Sequence, residues 1–208
     1  MKYEWRKQDK ALYGAKKYPA LITIPAQNYI MISGEGNPND VGFSNRVGAL
    51  YSLAYAVKSS YKAVSLQEEI HDFAVYPLEG IWTKINGDYL DKAKLEYTIM
   101  IRQPDFISEE MVNEALGMVR IKKPNPLFEE IHFETMQNGL CVEVLHVGAF
   151  DDEPVSFEKM DQFSAAHGLR RSESYHREIY LSNANRVEKS KLKTILRYSV
   201  EQIPAGSV

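Results

Sequence analysis

Two stretches of this chain run through the same order of hydrophobic patterns. An apolar run from Tyr29 to Ile32 ends in Ser33-Gly34-Glu35-Gly36, and another from Val142 to Val147 ends in Gly148-Ala149-Phe150. After the first, Pro38-Asn39-Asp40 precedes a segment in which Val47, Leu50, Tyr51, Ala54, Val57 and Tyr61 recur at helical spacing. After the second, Asp152-Glu153-Pro154 precedes Phe157, Met160, Phe163 and His167 at comparable spacing, stopped by Gly168. Each half then continues with two strand-like runs, Phe73 to Thr83 and Leu95 to Arg102 in the first, Tyr175 to Ser182 and Leu192 to Tyr198 in the second. The last runs share letters, KLEYTIMIR against KLKTILR.

A strand-helix-strand-strand unit that occurs twice points to duplication, because one small sheet has an apolar face that a second can cover. The expected fold is therefore α+β, with tandem strand-helix-strand-strand repeats joined into a central antiparallel sheet and a ligand cleft between the halves. As one domain over residues 1–208, the chain divides into a first repeat over about 18–104, a connecting helix and linker over 105–138, and a second repeat over 139–201. The connection opens with Ser108-Glu109-Glu110, a cap residue followed by first-turn acids, and Met111, Ala115, Leu116 and Val119 then keep helical spacing. Lys122-Lys123-Pro124-Asn125-Pro126 ends that helix and is the most linker-like stretch.

The run YHREIYLS at Tyr175 to Ser182 carries the most informative side chain. Alternation along a strand puts His176, Glu178 and Tyr180 on one face, and Tyr175, Arg177, Ile179 and Leu181 on the other. Glu178 is thus a carboxylate flanked by two rings. Strand glutamates most often face water, so a pocket here needs support from the rest of the chain.

Composition narrows the chemistry. A net charge of −3 spread over mixed acids and bases argues against nucleic acid as a partner. No apolar run approaches the roughly 20 residues that span a bilayer, and the first residues lack the apolar core of a signal peptide, so a cytoplasmic protein without membrane contact is expected. Cys141 stands alone, and no Cys or His spacing proposes a metal, so neither metal nor cofactor is expected. The excess is aromatic, 13 Tyr, 8 Phe and 2 Trp, enough to line a cavity for a flat aromatic ligand. An edge strand leaves a homodimer open.

Among the rings, Trp82 in Gly80-Ile81-Trp82-Thr83 is the first candidate for stacking, and Tyr76 has the same parity if no bulge intervenes at Pro77. Tyr51 and Tyr55, one helical turn apart, form either a wall of the pocket or part of a core stripe. Phe163 reads as core. His146 and Glu143 lie on opposite faces of one strand, so at most one enters the pocket, and His146 is preferred over Glu143 although a lone strand histidine is usually satisfied locally, as applies to His176 too. Cys141 reads as a small core residue, and Gly34-Glu35-Gly36 as a turn rather than a dinucleotide fingerprint.

Three strings in this order, YPALITIPAQNYIMISGEGNP at Tyr18 to Pro38, LHVGAFDDEP at Leu145 to Pro154 and HREIYLSNANRVEKSKLKTILR at His176 to Arg197, resemble the GyrI-like small-molecule-binding family. The resemblance implies two repeats in pseudo-twofold arrangement around a ligand cleft, with the family's acidic pocket residue, in the strand written EIYL, at Glu178. In drug-sensing relatives that acid meets flat lipophilic cations. Some stand-alone relatives resemble hydrolases that open the cyclopropane of DNA-alkylating natural products of the duocarmycin and yatakemycin type, and this chain is expected to be stand-alone. It departs from the common Asp-Pro-Arg-Arg pattern at Asn183 to Val187, which bears on loop contacts rather than on Glu178. In the hydrolase reading Glu178 is the base for water, Trp82 stacks on the ligand, and Tyr180 or another tyrosine donates to the ligand's oxygen. In a second reading Glu178 is the counter-ion of a binder or sensor, and in a third the chain docks on a topoisomerase, as the family name implies.

Overall fold

The computed structural model describes residues 1–83 and 95–204. Lys94 of the KLEYTIMIR string lies outside them, as do residues 84–93 of the expected first repeat. In chain order the described elements are β1 (Lys2–Tyr3), α1 (Trp5–Gln8), α2 (Lys10–Tyr13), β2 (Ala20–Ile24), β3 (Gln27–Glu35), α3 (Val41–Val64), β4 (Asp72–Phe73) and β5 (Leu78–Thr83). They continue with β6 (Glu96–Gln103), α4 (Glu109–Lys122), β7 (His132–Met136), β8 (Gly139–Val147), α5 (Glu153–Ala166), β9 (Leu169–Arg171), β10 (Tyr175–Tyr180) and β11 (Lys193–Gln202). The fold is mixed α/β, with few helices and antiparallel pairing in its main sheet strands. Among the described residues the helix of each repeat is followed by three strands rather than the expected two, as β3, α3, β4, β5, β6 and as β8, α5, β9, β10, β11.

The chain forms two compact units, each assembled from separate stretches. The first holds residues 1–10, 27–80 and, of those described, 95–136. Its central strand β3 pairs antiparallel with β6 on one side, Met31 opposite Met100, and with β7 on the other, Met31 opposite His132. Helix α3 buries Leu50, Leu53, Ala54, Val57 and Tyr61, the three-to-four spacing that gives a helix one apolar stripe. Helix α4 starts where its cap predicts, with the Ser108 hydroxyl accepting from Met111 N at 3.3 Å and Glu109 and Glu110 in the first turn.

Three details of this unit depart from expectation. The strand expected over Phe73 to Thr83 is two strands, β4 and β5, because Pro77 between them has no N–H for a ladder. The linker-like stretch folds into a 3₁₀ turn at Pro126–Glu129, capped by the Asn125 side chain at 3.0 Å from Leu127 N and anchored by buried Phe128. It leads into β7, which sequence patterning did not predict. Gly34 is not in a turn but in β3, where the ring of Tyr97 on the paired β6 lies over it; the turn falls to Gly36, at φ 104°.

The second unit holds residues 11–26, 81–83 and 137–204 of those described. Its sheet runs β2, β8, β11, β10, all antiparallel, and β10 is bonded on its far side to β5, whose Ile81–Thr83 end belongs here. Val144 lies opposite Leu196, and Leu196 opposite Glu178, so these side chains share one face. Helix α5 covers that face, and Met160 packs with Val142, Val144, Leu169, Leu196, Tyr198 and Val200. Each such fully buried aliphatic side chain contributes about 1.5–3 kcal/mol. Phe163 packs against this cluster, as expected, and α5 ends at Gly168 with φ 65°. On the opposite face Arg197 pairs with Glu143 at 2.6 and 3.0 Å and donates to the Leu12 carbonyl at 2.7 Å. Cys141 is buried, and that burial pushes its thiol up, consistent with a core role.

A Cβ at position 34 would lie 2.6 Å from the Tyr97 hydroxyl and 2.7 Å from its ring. Gly34→Ala is therefore expected to lower stability by about 1–3 kcal/mol in urea unfolding, and by much less in a Tyr97→Leu background.

Candidate functional site

Strand β10 forms because its alternation of Tyr, Arg and Ile with His, Glu and Tyr suits a sheet packed on both faces. Its register puts Glu178 on the α5 side of the second unit, beside the apolar core. The carboxylate is 9% exposed, and its oxygens are used by neighbours on the same strand. His176 Nε2 lies 2.9 Å from Oε1, and the Tyr180 hydroxyl donates to Oε2 at 2.9 Å. Trp82 Nε1 in turn donates to the Tyr180 oxygen at 2.9 Å. Because an indole N–H can only donate, it leaves the tyrosine's proton directed at Glu178. Rings close the surroundings: Phe157 meets His176 edge to face at 4.6 Å, and Phe150 meets Tyr180 edge to face at 5.9 Å.

The sequence reading missed one member of this cluster. Glu153, the first residue of α5, is 6% exposed, with its carboxyl close to that of Glu178 and its Oε1 buried without a hydrogen-bond partner among the described residues. Burial, then the charge of Glu178 and its nearness, push the Glu153 carboxyl from its ordinary 4.5 up to about 10. Glu153 therefore holds its proton more tightly than an ordinary carboxyl, on the acid side of two neighbouring buried carboxyl groups. Burial, reinforced by the charge of Glu178, raises the Tyr180 hydroxyl well above its ordinary 10.0, so it too keeps its proton. A base beside an acid of raised proton affinity, walled by rings, is suited to moving a proton to or from a bound aromatic molecule.

Of the residues expected from sequence, Glu178, His176, Tyr180 and Trp82 are brought together. His146 does not join them as a ligand contact: its Nε2 is bonded to the Ala149 carbonyl at 3.0 Å and its Nδ1 to the Ser156 hydroxyl at 2.9 Å, which occupies both ring nitrogens. Glu143 faces the other way, into Arg197, as strand parity requires. Tyr76 belongs to the other unit, 1% exposed, stacked on Trp5 at 6.0 Å with its hydroxyl donating to Asp9. It offers no surface to a ligand, and its parity with Trp82 is lost at Pro77. Tyr51 and Tyr55, also in the first unit, have ring centroids 6.3 Å apart at 31°. Tyr55 is 58% exposed and Tyr51 half-buried, so neither belongs to the core stripe of α3.

Among the described residues no cluster of His, Cys, Asp and Glu is arranged to hold a metal, and no helix is long and apolar enough to cross a membrane.

Residues 18–199 match the model of the GyrI-like small molecule binding domain. An uncharacterized conserved protein from Listeria innocua is 34% identical, with a TM-score of 0.88 over 96% of this chain and 100% of its own. A hydrolase from Listeria innocua is 33% identical, with a TM-score of 0.88 over 97% of this chain and 100% of its own. The C-terminal domain of EcmrR shares the fold at 15% identity, with a TM-score of 0.54 over 88% of this chain and 97% of its own. Among curated proteins no match is found.

The raised Glu153 carboxyl sets a pH dependence of stability. The folded state binds its proton more tightly than the unfolded chain, so this contribution is complete below pH 4.5 and is lost as pH rises through about 10. Compared with Glu153→Gln, the unmodified protein is expected to lose stability across that window, at no more than about 1.4 kcal/mol per pH unit. Urea unfolding of both proteins at several pH values measures it, and parallel profiles would count against the raised Glu153 carboxyl.

Proposed function

The chain belongs to the GyrI-like small-molecule-binding family, and from that premise we propose that it hydrolyses flat aromatic compounds bearing an activated cyclopropane, detoxifying DNA-alkylating natural products. The observation that carries this reading is the pair of buried carboxyl groups, Glu153 and Glu178, set between aromatic walls, with the Glu153 carboxyl pushed up by burial and by the charge of Glu178. The 33% identity to a Listeria innocua hydrolase over nearly the whole chain supports hydrolysis as the reaction class.

In the proposed step Glu178 removes a proton from water as its oxygen attacks a ring carbon of the cyclopropane. The carbon–carbon bond breaks, and its electron pair moves into the fused dienone, which becomes an aromatic phenolate. The phenolate takes a proton from solvent and Glu178 returns one, so the sum is addition of one water. Trp82, Tyr180 and Phe150 supply ring surface for the flat substrate, and His176 steadies Glu178 by its hydrogen bond. Exclusion of all but the attacking water around the pair keeps the base in its hydrogen-bonded orientation. On this reading the reaction takes place in the cytoplasm, where such compounds meet the cell's DNA.

One observation favours a second reading. A pair that carries a single negative charge among rings is also a counter-ion for a lipophilic cation, held without chemistry by charge and cation–π contact worth about 0.5–2 kcal/mol per ring.

Incubation with a cyclopropyl-dienone compound, followed by the loss of dienone absorbance, separates the two. Many turnovers per protein are expected, whereas a change that stops at one equivalent would replace the hydrolase by the binder. Glu178→Gln is expected to lower kcat by about a hundredfold or more, and unchanged turnover would remove Glu178 as the base.

A further inference from the structure

Glu153 reaches Glu178 only if the start of α5 is held in place, and between Phe150 and Phe157, whose rings pack on Tyr180 and His176, apolar packing supplies little of that hold. In the segment that carries it, Phe150 is 41% and Val155 58% exposed. One buried side chain bonds the segment on both sides of Glu153. His146, 5% exposed on β8, has Nε2 at 3.0 Å from the Ala149 carbonyl, before the helix, and Nδ1 at 2.9 Å from the Ser156 hydroxyl, in its first turn. A carbonyl only accepts, so Nε2 carries the ring proton and, in the neutral ring, Nδ1 accepts from the serine. Gly148 permits the approach: its φ is 150°, and a Cβ there would lie 3.3 Å from His146 Nε2.

We propose that His146 is a positioning residue, whose bridge from Ala149 to Ser156 fixes the N-terminus of α5 so that the Glu153 carboxyl meets Glu178. It acts without touching the ligand. The role in catalysis rests on the hydrolase reading, but the bridge and its effect on Glu153 do not. The charged and titratable groups around Glu153 are Glu178 and Tyr180 from β10 and Asp151 from the preceding turn, with Asp152 beside it in sequence. Once the bridge is cut, the first turn of α5 is free to shift, water reaches Glu153, and its separation from Glu178 grows. Both changes return the carboxyl toward its ordinary affinity for the proton.

The test is a titration of the full-length protein with glutamates labelled at the carboxyl carbon, read by NMR, with Glu153→Gln assigning the signal. In His146→Ala, shown folded by its amide spectrum, the Glu153 midpoint is expected to fall by about one unit or more, a tenfold loss of proton affinity. Ser156→Ala, which cuts one of the two bonds, is expected to move it the same way by less, and His146→Gln, which can still donate to Ala149, to restore part of the shift. With the cyclopropyl-dienone compound, His146→Ala is expected to lower kcat more than it raises KM. An unchanged Glu153 midpoint in folded His146→Ala overturns the proposal. Should that variant not fold, an unchanged midpoint in Ser156→Ala overturns it instead. If the unmodified protein turns over none of the compound, the hydrolase reading fails while the midpoint still decides on His146.

Discussion

Two carboxyl groups lie buried side by side at the end of a helix, and the second unit has to accommodate that constraint. Two ionised carboxylates side by side and out of water would repel strongly, while a protonated one beside an ionised one does not. Glu178 comes from β10 and Glu153 from α5, so the pair exists only when the helix docks on the sheet in one position. The apolar cluster of Met160, Val144 and Leu196 supplies the docking energy, and the polar bonds of His146 set where the helix begins.

The two faces of that sheet divide the work. Toward α5 the strands present aliphatic side chains, with the acid pair among rings. Away from it, Glu143 and Arg197 form a buried ion pair whose guanidinium also holds the backbone of Leu12. Such a pair adds little net stability over an apolar one, yet it ties residues 11–26 to the sheet. A change of one residue in register would exchange the two faces, and both sets of buried charges would lose their partners.

Much of this was legible in the chain because it depends on local periodicity. Alternation along YHREIYLS places His176, Glu178 and Tyr180 on one face, Ser108 caps α4, and Gly168 ends α5. Glu153 was not legible, since an acid ahead of Pro154 at a helix start is what the helix dipole alone would favour. Its role appears only when that helix end meets another strand. Tyr76 misled for a related reason: parity carries a side chain's direction only through unbroken strand, and Pro77 ends it. The weak alternation of His132–Met136, mostly exposed, hid β7, an edge strand held chiefly by its backbone bonds to β3.

The row from Trp82 through Tyr180 to Glu178 has a direction. An indole cannot take up a proton, so the row ends blindly at Trp82 and cannot serve as a conduit to bulk water. Any proton that Glu178 gains must depart along another route. Among its described contacts the half-buried imidazole of His176 and the carboxyl of Glu153 can each both accept and release it, which leaves the tyrosine as the fixed wall of the cluster.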